Sequence, residues 1–334
     1  FVYFGIFVFC GDGDTGDVPR VALRQRKRGT RDRGDANRPD SLPADPVLTV
    51  FEDSQGEIWA GMWQWGLSRF DKSSQGFIRY PGLGAKVGRS IDESSTGYLW
   101  VGTDKGVKRY DRRTDTFYNY AEQKKNCAVD SSLGVNHLFI DSSDKLWVGR
   151  NDGLAVLDEE SGCLELYAHD AQNPDSLGSG YVWVIYEDSQ GLLWLGMGAT
   201  GINVFDRKTK KFKLITAEDG LADDSIGCIV EDDEGMMWIG TGRGLSRYAP
   251  KTGAFVNYTV EHGLPGNLLK RQNCAKLASG ELVFGTSNGL TIFNPQSIAE
   301  NQTIPVVSYT HPTLPTNNSV YILMAAGLRK QLYI

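Results

Sequence analysis

The sequence predicts an all-β chain, a β-propeller of four-stranded antiparallel blades with six repeats visible. The first observation is a recurring tetrapeptide. It reads IWAG, LWVG, LWVG, LWLG and MWIG, and a sixth copy reads LVFG, with Val283 in the tryptophan position. Trp59, Trp100, Trp147, Trp194 and Trp238 lie 41, 47, 47 and 44 residues apart, and Val283 follows 45 residues later. Propeller blades repeat at about 40–50 residues. The second observation is that every repeat divides into short apolar runs separated by turn residues. The third is composition: 39 glycines and 11% aromatic residues suit Gly-rich turns between short strands better than helices.

The first repeat shows the plan. Val47 to Phe51 is an alternating run, read as the inner strand. Glu52-Asp53-Ser54-Gln55-Gly56 is a tight turn, with Asp and Gly in their usual turn roles. Ile58 to Gly61 is the second strand, Trp63-Gln64-Trp65-Gly66 a loop, and Leu67 to Phe70 the third strand. Asp71 to Gly76 is a turn, and Phe77 to Tyr80 the fourth strand. Asp188-Ser189-Gln190-Gly191 repeats the first turn. Arg109-Tyr110-Asp111, Val204-Phe205-Asp206 and Arg247-Tyr248 repeat the third strand. Phe117–Tyr120, Leu164–Tyr167, Phe212–Ile215 and Phe255–Tyr258 repeat the fourth.

A blade cannot bury both faces alone, so stacked blades must cover one another. Trp59, Trp100, Trp147, Trp194 and Trp238 are therefore read as inter-blade core, in preference to ligand platforms. The Asp-x-x-Gly segments lack the dense alternating carboxylates of calcium loops and are read as turns.

Composition narrows the function. A formal net charge of −6 gives no reason to expect nucleic acid or an anionic membrane as partner. Cys10, Cys127, Cys163, Cys228 and Cys274 form no CxxC pair and are expected to be free thiols. His137, His169, His262 and His311 have no metal-ligand spacing, so no metal and no cofactor is expected. No stretch reaches the roughly 18 apolar residues of a membrane helix.

The unit Ser176-Leu177 … Tyr186-Glu187-Asp188-Ser189-Gln190-Gly191-Leu192-Leu193-Trp194-Leu195-Gly196 … Gly201 … Phe205-Asp206 resembles the two-component-regulator propeller repeat. The resemblance covers about residues 41–296, the expected propeller. Residues 280–295 look like that family's closing blade, and 297–307 resemble the start of its following β-sandwich, a module named for its tyrosines. Two regions depart from the pattern. Residues 1–40 show no blade pattern and carry a basic cluster from Arg24 to Arg33, expected to be disordered or non-native. Residues 308–334 resemble translated adapter read-through and are expected to be a non-native tail. Six units are visible where the family commonly has seven, so a six-bladed ring and an incomplete seven-bladed one both stay open.

The resemblance implies a propeller on the periplasmic or extracellular side of the cytoplasmic membrane, belonging to a receptor. Its output would be a histidine kinase or diguanylate cyclase, carried by parts absent from this sequence. The receptor would be a homodimer that a ligand shifts between two states through differential affinity. It would touch the membrane only through those absent parts.

Strand geometry places a candidate binding face. In an antiparallel meander the second-to-third loops share one end with the blade-to-blade connections, opposite the Asp-x-x-Gly turns. Loops on a rigid scaffold carry binding residues. The candidates are Trp63 and Trp65 as a stacking pair for a sugar ring, Asp104 as a polar contact, and Arg150, Arg243 and Arg271 for an anionic group such as a uronate or sulfate. Each has an alternative as a packed or solvated loop residue.

The leading expectation is therefore a sensor module for a small molecule or an oligosaccharide such as a glycan breakdown product, and not an enzyme. A propeller glycosidase or lyase would need central carboxylates about 5–10 Å apart. Asp53, Glu187, Asp188, Asp232 and Asp233 fall instead in the opposite turns. A protein-interaction scaffold would show a flat apolar patch in place of a central pocket.

Overall fold

In the computed structural model, which describes residues 41–43, 46–80, 83, 88–119, 133–158, 161 and 163–298, each repeat folds into its own antiparallel sheet. Blade 1 holds β1 (Val47–Glu52), β2 (Ile58–Met62), β3 (Gly66–Asp71) and β4 (Gly76–Tyr80). Blade 2 holds β5 (Gly88–Glu93), β6 (Leu99–Thr103), β7 (Gly106–Asp111) and β8 (Thr116–Asn119). Blade 3 holds β9 (Val135–Ile140), β10 (Leu146–Arg150), β11 (Leu154–Asp158) and β12 (Cys163–Tyr167). Blade 4 holds β13 (Val182–Glu187), β14 (Leu193–Met197), β15 (Ile202–Asp206) and β16 (Lys211–Ile215). Blade 5 holds β17 (Ile226–Glu231), β18 (Met237–Thr241), β19 (Gly244–Ala249) and β20 (Ala254–Tyr258). Blade 6 has three strands, β21 (Leu269–Lys276), β22 (Leu282–Thr286) and β23 (Gly289–Phe293). Every sheet is a meander, and in blades 1 to 5 the first strand packs against the first strand of the next blade. The propeller read from the repeats is the observed fold. The expectations for residues 1–40 and 299–334 lie outside the described residues.

The five tryptophans are buried between blades, as their periodic placement predicts. Trp147, for example, joins a cluster with Val182, Ile185, Leu193 and Phe205 of blade 4. The glycine that closes the tetrapeptide has a reason too. A Cβ on Gly196 would lie 2.6 Å from Ile226 Cγ2, and one on Gly102 would lie 2.6 Å from Val135 Cγ1. Ile226 and Val135 are the leading residues of the next blade's inner strand, so only a glycine lets neighbouring blades approach this closely.

The turn end is built on one repeated network. Asp188 Oδ1 accepts hydrogen bonds from the backbone N–H groups of Gln190 and Leu192, and its Oδ2 accepts one from Trp194 Nε1 at 2.7 Å. Asp53 does the same for Gln55, Glu57 and Trp59, and Asp141 for Ser143, Lys145 and Trp147. Asp232 repeats it with Glu234, Met236 and Trp238. The turn aspartate and the core tryptophan are thus one unit: the carboxylate shapes the turn and satisfies the buried indole N–H. Blade 2 substitutes Ser94, whose hydroxyl accepts from the Tyr98 N–H. Blade 6 has Leu277 and Val283 at the two positions.

A second contact ties each turn to the next blade. Ser54 donates through its backbone N–H and hydroxyl to Glu93, Ser142 to Glu187, and Ser189 to Glu231. Blades 5 and 6 replace this pair by a 2.6 Å ion pair between Asp233 and Lys276. Arg112 adds a fork to Asp53 and Glu93, at 2.8 and 2.6 Å, and Arg207 repeats it on Asp141 and Glu187.

One expectation is corrected. Cys163 is disulfide-bonded, so the cysteines are not all free thiols. Cys228 and Cys274 are free.

Candidate functional site

The opposite end is where the second-to-third loops meet the chain arriving from the previous blade. Trp63 N–H donates to Pro46 O, Gly198 N–H to Tyr181 O, Gly242 N–H to Ser225 O and Ser287 N–H to Leu268 O. These bonds join a second-to-third loop to the residues leading into the same blade's inner strand, as the meander geometry requires.

Here every inner strand carries a β-bulge. Between Val182 (paired with Met197) and Val184 (paired with Gly196), Trp183 is the extra residue. By the same register shift Leu48, Arg89, Asn136 and Gly227 are the extra residues of β1, β5, β9 and β17. In β21 the slip is larger. Leu269 pairs with Thr286 and Cys274 with Phe284, which leaves residues 270–273 outside the ladder. Bulges bend a strand and re-aim a side chain, and they are common beside active sites.

The bulged residues make contact across the channel. Arg89 Nη1 donates to Asn136 Oδ1 at 2.7 Å, and Asn136 Nδ2 donates to Asn151 Oδ1 at 2.8 Å. Gln272 of blade 6 donates through Nε2 to Asn136 O of blade 3. The Arg271 guanidinium lies over the Trp183 ring of blade 4. Trp183 in turn stacks with Tyr181, centroids 6.5 Å apart and planes 21° off parallel. Tyr181 is 50% exposed. Gln272 holds φ 56°, a left-handed value that a non-glycine residue adopts at a cost. Desolvation and, second, the Arg89 charge lower the Arg271 pKa to about 10.

Deeper along the channel the inner strands are linked by side chains. The Ser90 hydroxyl accepts from Leu138 N–H, and Asp92 Oδ2 accepts from Ile140 N–H. His137 Nδ1 accepts from Ile185 N–H, and Tyr186 OH accepts from Glu231 N–H. Burial pushes the Asp92 carboxyl up to about 7 and the His137 imidazole down to about 4. Both groups therefore stand neutral at mildly acidic pH.

The residues singled out from the sequence separate into two groups. Arg271 falls inside the cluster. Trp63 and Trp65 stand on their loop, 48% and 50% exposed, with the Arg79 guanidinium 5.9 Å from the Trp65 ring centroid. Asp104 is half-buried, its backbone against Gly134. Arg150 is buried, and Asp152 grips its guanidinium through both carboxylate oxygens. Arg243 is exposed, with Nε 3.2 Å from Asp223. Sequence reasoning missed Arg89, Asn136, Trp183 and Gln272. The signal lay in the aromatic Tyr-Val-Trp-Val run at 181–184, where the corresponding position of other blades holds Leu48, Arg89, Asn136 or Gly227.

Among the described residues no group of three or more His, Cys, Asp or Glu side chains is placed to hold a metal ion. No helix there is long and apolar enough to cross a membrane.

Known proteins share this architecture. The family model described as two component regulator propeller matches residues 41–64, 176–199 and 220–243. No curated protein sequence matches the chain. Among solved structures, the chain is similar to the extracellular domain assigned to a one component system, BT4673 from B. thetaiotaomicron, with TM-score 0.62, 22% identity, 76% of this chain and 35% of that one covered. It is similar to the extracellular domain assigned to a hybrid two component system, BT3049 from the same organism, with TM-score 0.55, 22% identity, 79% of this chain and 41% of that one covered. Virginiamycin B lyase from Staphylococcus aureus aligns at TM-score 0.55 and 13% identity, over 78% of this chain and 86% of the lyase. At these identities the likeness is one of fold. The chain spans well under half the length of the two extracellular domains. The repeats and their register make the chain a β-propeller, and three of its segments match the two component regulator propeller model.

Proposed function

We propose that this propeller is the ligand-sensing module of an extracytoplasmic bacterial receptor, with an oligosaccharide as its ligand and a two-component or diguanylate cyclase output elsewhere in the parent protein. The observation that carries the reading is the ring of bulges. One end of an otherwise repetitive scaffold carries a different residue at each bulge, and Arg89, Asn136, Tyr181, Trp183, Arg271 and Gln272, from blades 2, 3, 4 and 6, converge there. Aromatic faces beside rigidly held donors are what a sugar ring and its hydroxyls require. The Cys163 disulfide supports an oxidising compartment. The similarity to extracellular domains of one- and two-component systems supports the same side of the membrane.

The test is a thermal-shift screen of the full chain against oligosaccharides, with Trp183→Ala and Trp63→Ala/Trp65→Ala in parallel. A ligand at a hundred times its dissociation constant adds about 2.7 kcal/mol of stability. The expected result is a rise in melting temperature that Trp183→Ala abolishes. A shift retained by Trp183→Ala and lost in the Trp63/Trp65 double variant moves the site to the blade 1 loop. Consumption of the sugar during the assay would replace the sensor reading with an enzymatic one.

A further inference from the structure

Two cations hold unusual positions at the channel mouth. Arg89 sits at the bulge of β5 and is oriented by Asn136, which is itself buried and fixed by Asn151. Arg271 comes from the other direction, carried by the unladdered segment 270–273 of β21, with its guanidinium over the neutral Trp183 ring. Asn136 ties the two together, its side chain accepting from Arg89 and its backbone carbonyl from Gln272, the residue beside Arg271. Neither makes an ion pair with a carboxylate among the described residues. Elsewhere, Arg112, Arg150 and Arg207 all do. The large bulge and the left-handed Gln272 backbone are local costs that serve to hold this segment across the channel. Like charges held together without a counter-charge favour an anion between them, and guanidinium forks match the paired oxygens of a carboxylate or sulfate.

Building on the sensing role, we propose that the mouth selects an acidic oligosaccharide, its carboxylate or sulfate ester bridging Arg89 and Arg271 while the sugar ring lies against Tyr181. The half-exposed Tyr181 continues the Trp183 stack and offers a flat face beside the anion position. Asn151 and Gln272 border the same position with amide groups able to meet ring hydroxyls.

The experiment is titration calorimetry on the full chain with digalacturonate, a chondroitin sulfate disaccharide and neutral galactobiose. It compares wild type, Arg89→Gln, Arg271→Gln, Trp183→Ala and a remote control, Lys208→Gln. At least one acidic sugar should bind about tenfold or more tightly than galactobiose, with the uronate and sulfate arms telling which oxyanion is preferred. Each arginine variant should weaken it about 10- to 100-fold, in keeping with the loss of charge-assisted hydrogen bonds. Lys208→Gln should leave it unchanged. Circular dichroism melts of the unliganded variants separate lost contacts from lost folding. Galactobiose binding that depends on Trp183 but on neither arginine would overturn the anion assignment and leave the mouth as the ligand site. Acidic-sugar binding indifferent to all three mouth substitutions would place the site elsewhere and overturn both. Failure of both acidic sugars to bind a folded wild type would overturn the anion assignment alone.

Discussion

At the turn end, blades 1, 3, 4 and 5 make the same three hydrogen bonds to one aspartate, and each buries the tryptophan it serves. At the mouth, the five single-residue bulges present Leu48, Arg89, Asn136, Trp183 and Gly227, no two alike. The same strands reach both ends, so the contrast reflects what each end must do. The turn end has a repeated mechanical problem, a buried indole and a tight turn, with one economical solution. The mouth has no shared geometric duty beyond admitting the bulge, so its side chains are free to differ.

The largest effect that would break the contrast lies at the turn end. Trp194→Ala should lower the unfolding free energy by about 3–5 kcal/mol, read from urea denaturation. Asp188→Ala leaves a buried indole N–H and two turn N–H groups without their acceptor, and should cost about 2–4 kcal/mol. A cost below about 1 kcal/mol for either would mean that the network only accompanies packing.

The next effects are pH-dependent and lie in the channel wall. The folded pKa of Asp92 is raised to about 7, so the folded state holds its proton more tightly than the unfolded chain. Its contribution to stability therefore improves as pH falls from above 7 towards 4. The folded pKa of His137 is lowered to about 4, so the unfolded state takes up the proton first. Its contribution is lost as pH falls from about 6.5 to about 4. The two oppose each other in wild type. Asp92→Asn should make melting temperature fall more steeply on acidification from pH 7 to 5, and His137→Gln should make it fall less. Identical pH profiles for wild type and both variants would remove these groups from the account.

Smaller again, Arg207→Ala removes the fork on Asp141 and Glu187 and should cost about 1–2 kcal/mol. At the mouth, Trp63→Ala should change stability by no more than about 0.5 kcal/mol, because its side chain is half exposed. The smallest effect is chemical. Burial, and next the neighbouring Cys228, hold the Cys274 thiol well above its ordinary pKa. Neither thiol should react with iodoacetamide in the folded chain, and both should react after denaturation, as counted by mass spectrometry.

The repeated contacts were legible because each repeat states them again. Five tryptophans in register, each preceded by its turn, specify the blade and its inter-blade core without any long-range information. The candidate site was legible only in outline. Placing the second-to-third loops and the blade connections on one end follows from meander topology and is what the structure shows. The residues that converge there depend on pairing slips. Arg271 stood out as a cation in a connection, yet its position over Trp183 follows from Leu269 pairing with Thr286 and Cys274 with Phe284, which no local pattern encodes. Trp183 sits inside an apolar strand and reads as core, and it does pack half-buried against the core while its ring also meets Arg271. Arg150 reads as a loop cation, but its guanidinium is buried and held by the exposed Asp152 two residues on.

The ion pair between Asp233 and Lys276 has a bearing on assembly. Repeat chains risk docking the wrong neighbours, because each unit offers nearly the same face. Between blades 1 and 2, 3 and 4, and 4 and 5 the joint is a serine donor on one side and a glutamate acceptor on the other. At the final joint the roles invert: the carboxylate belongs to blade 5 and the donor, a cation, to blade 6. Blade 6 misplaced after blade 4 would set Lys276 against the Ser189 backbone N–H, which would lose its glutamate acceptor and face a cation instead. Any glutamate-bearing blade misplaced after blade 5 would meet Asp233, two carboxylates facing each other. The inverted pair thus acts as an address, giving the last blade one acceptable neighbour among several near-identical ones.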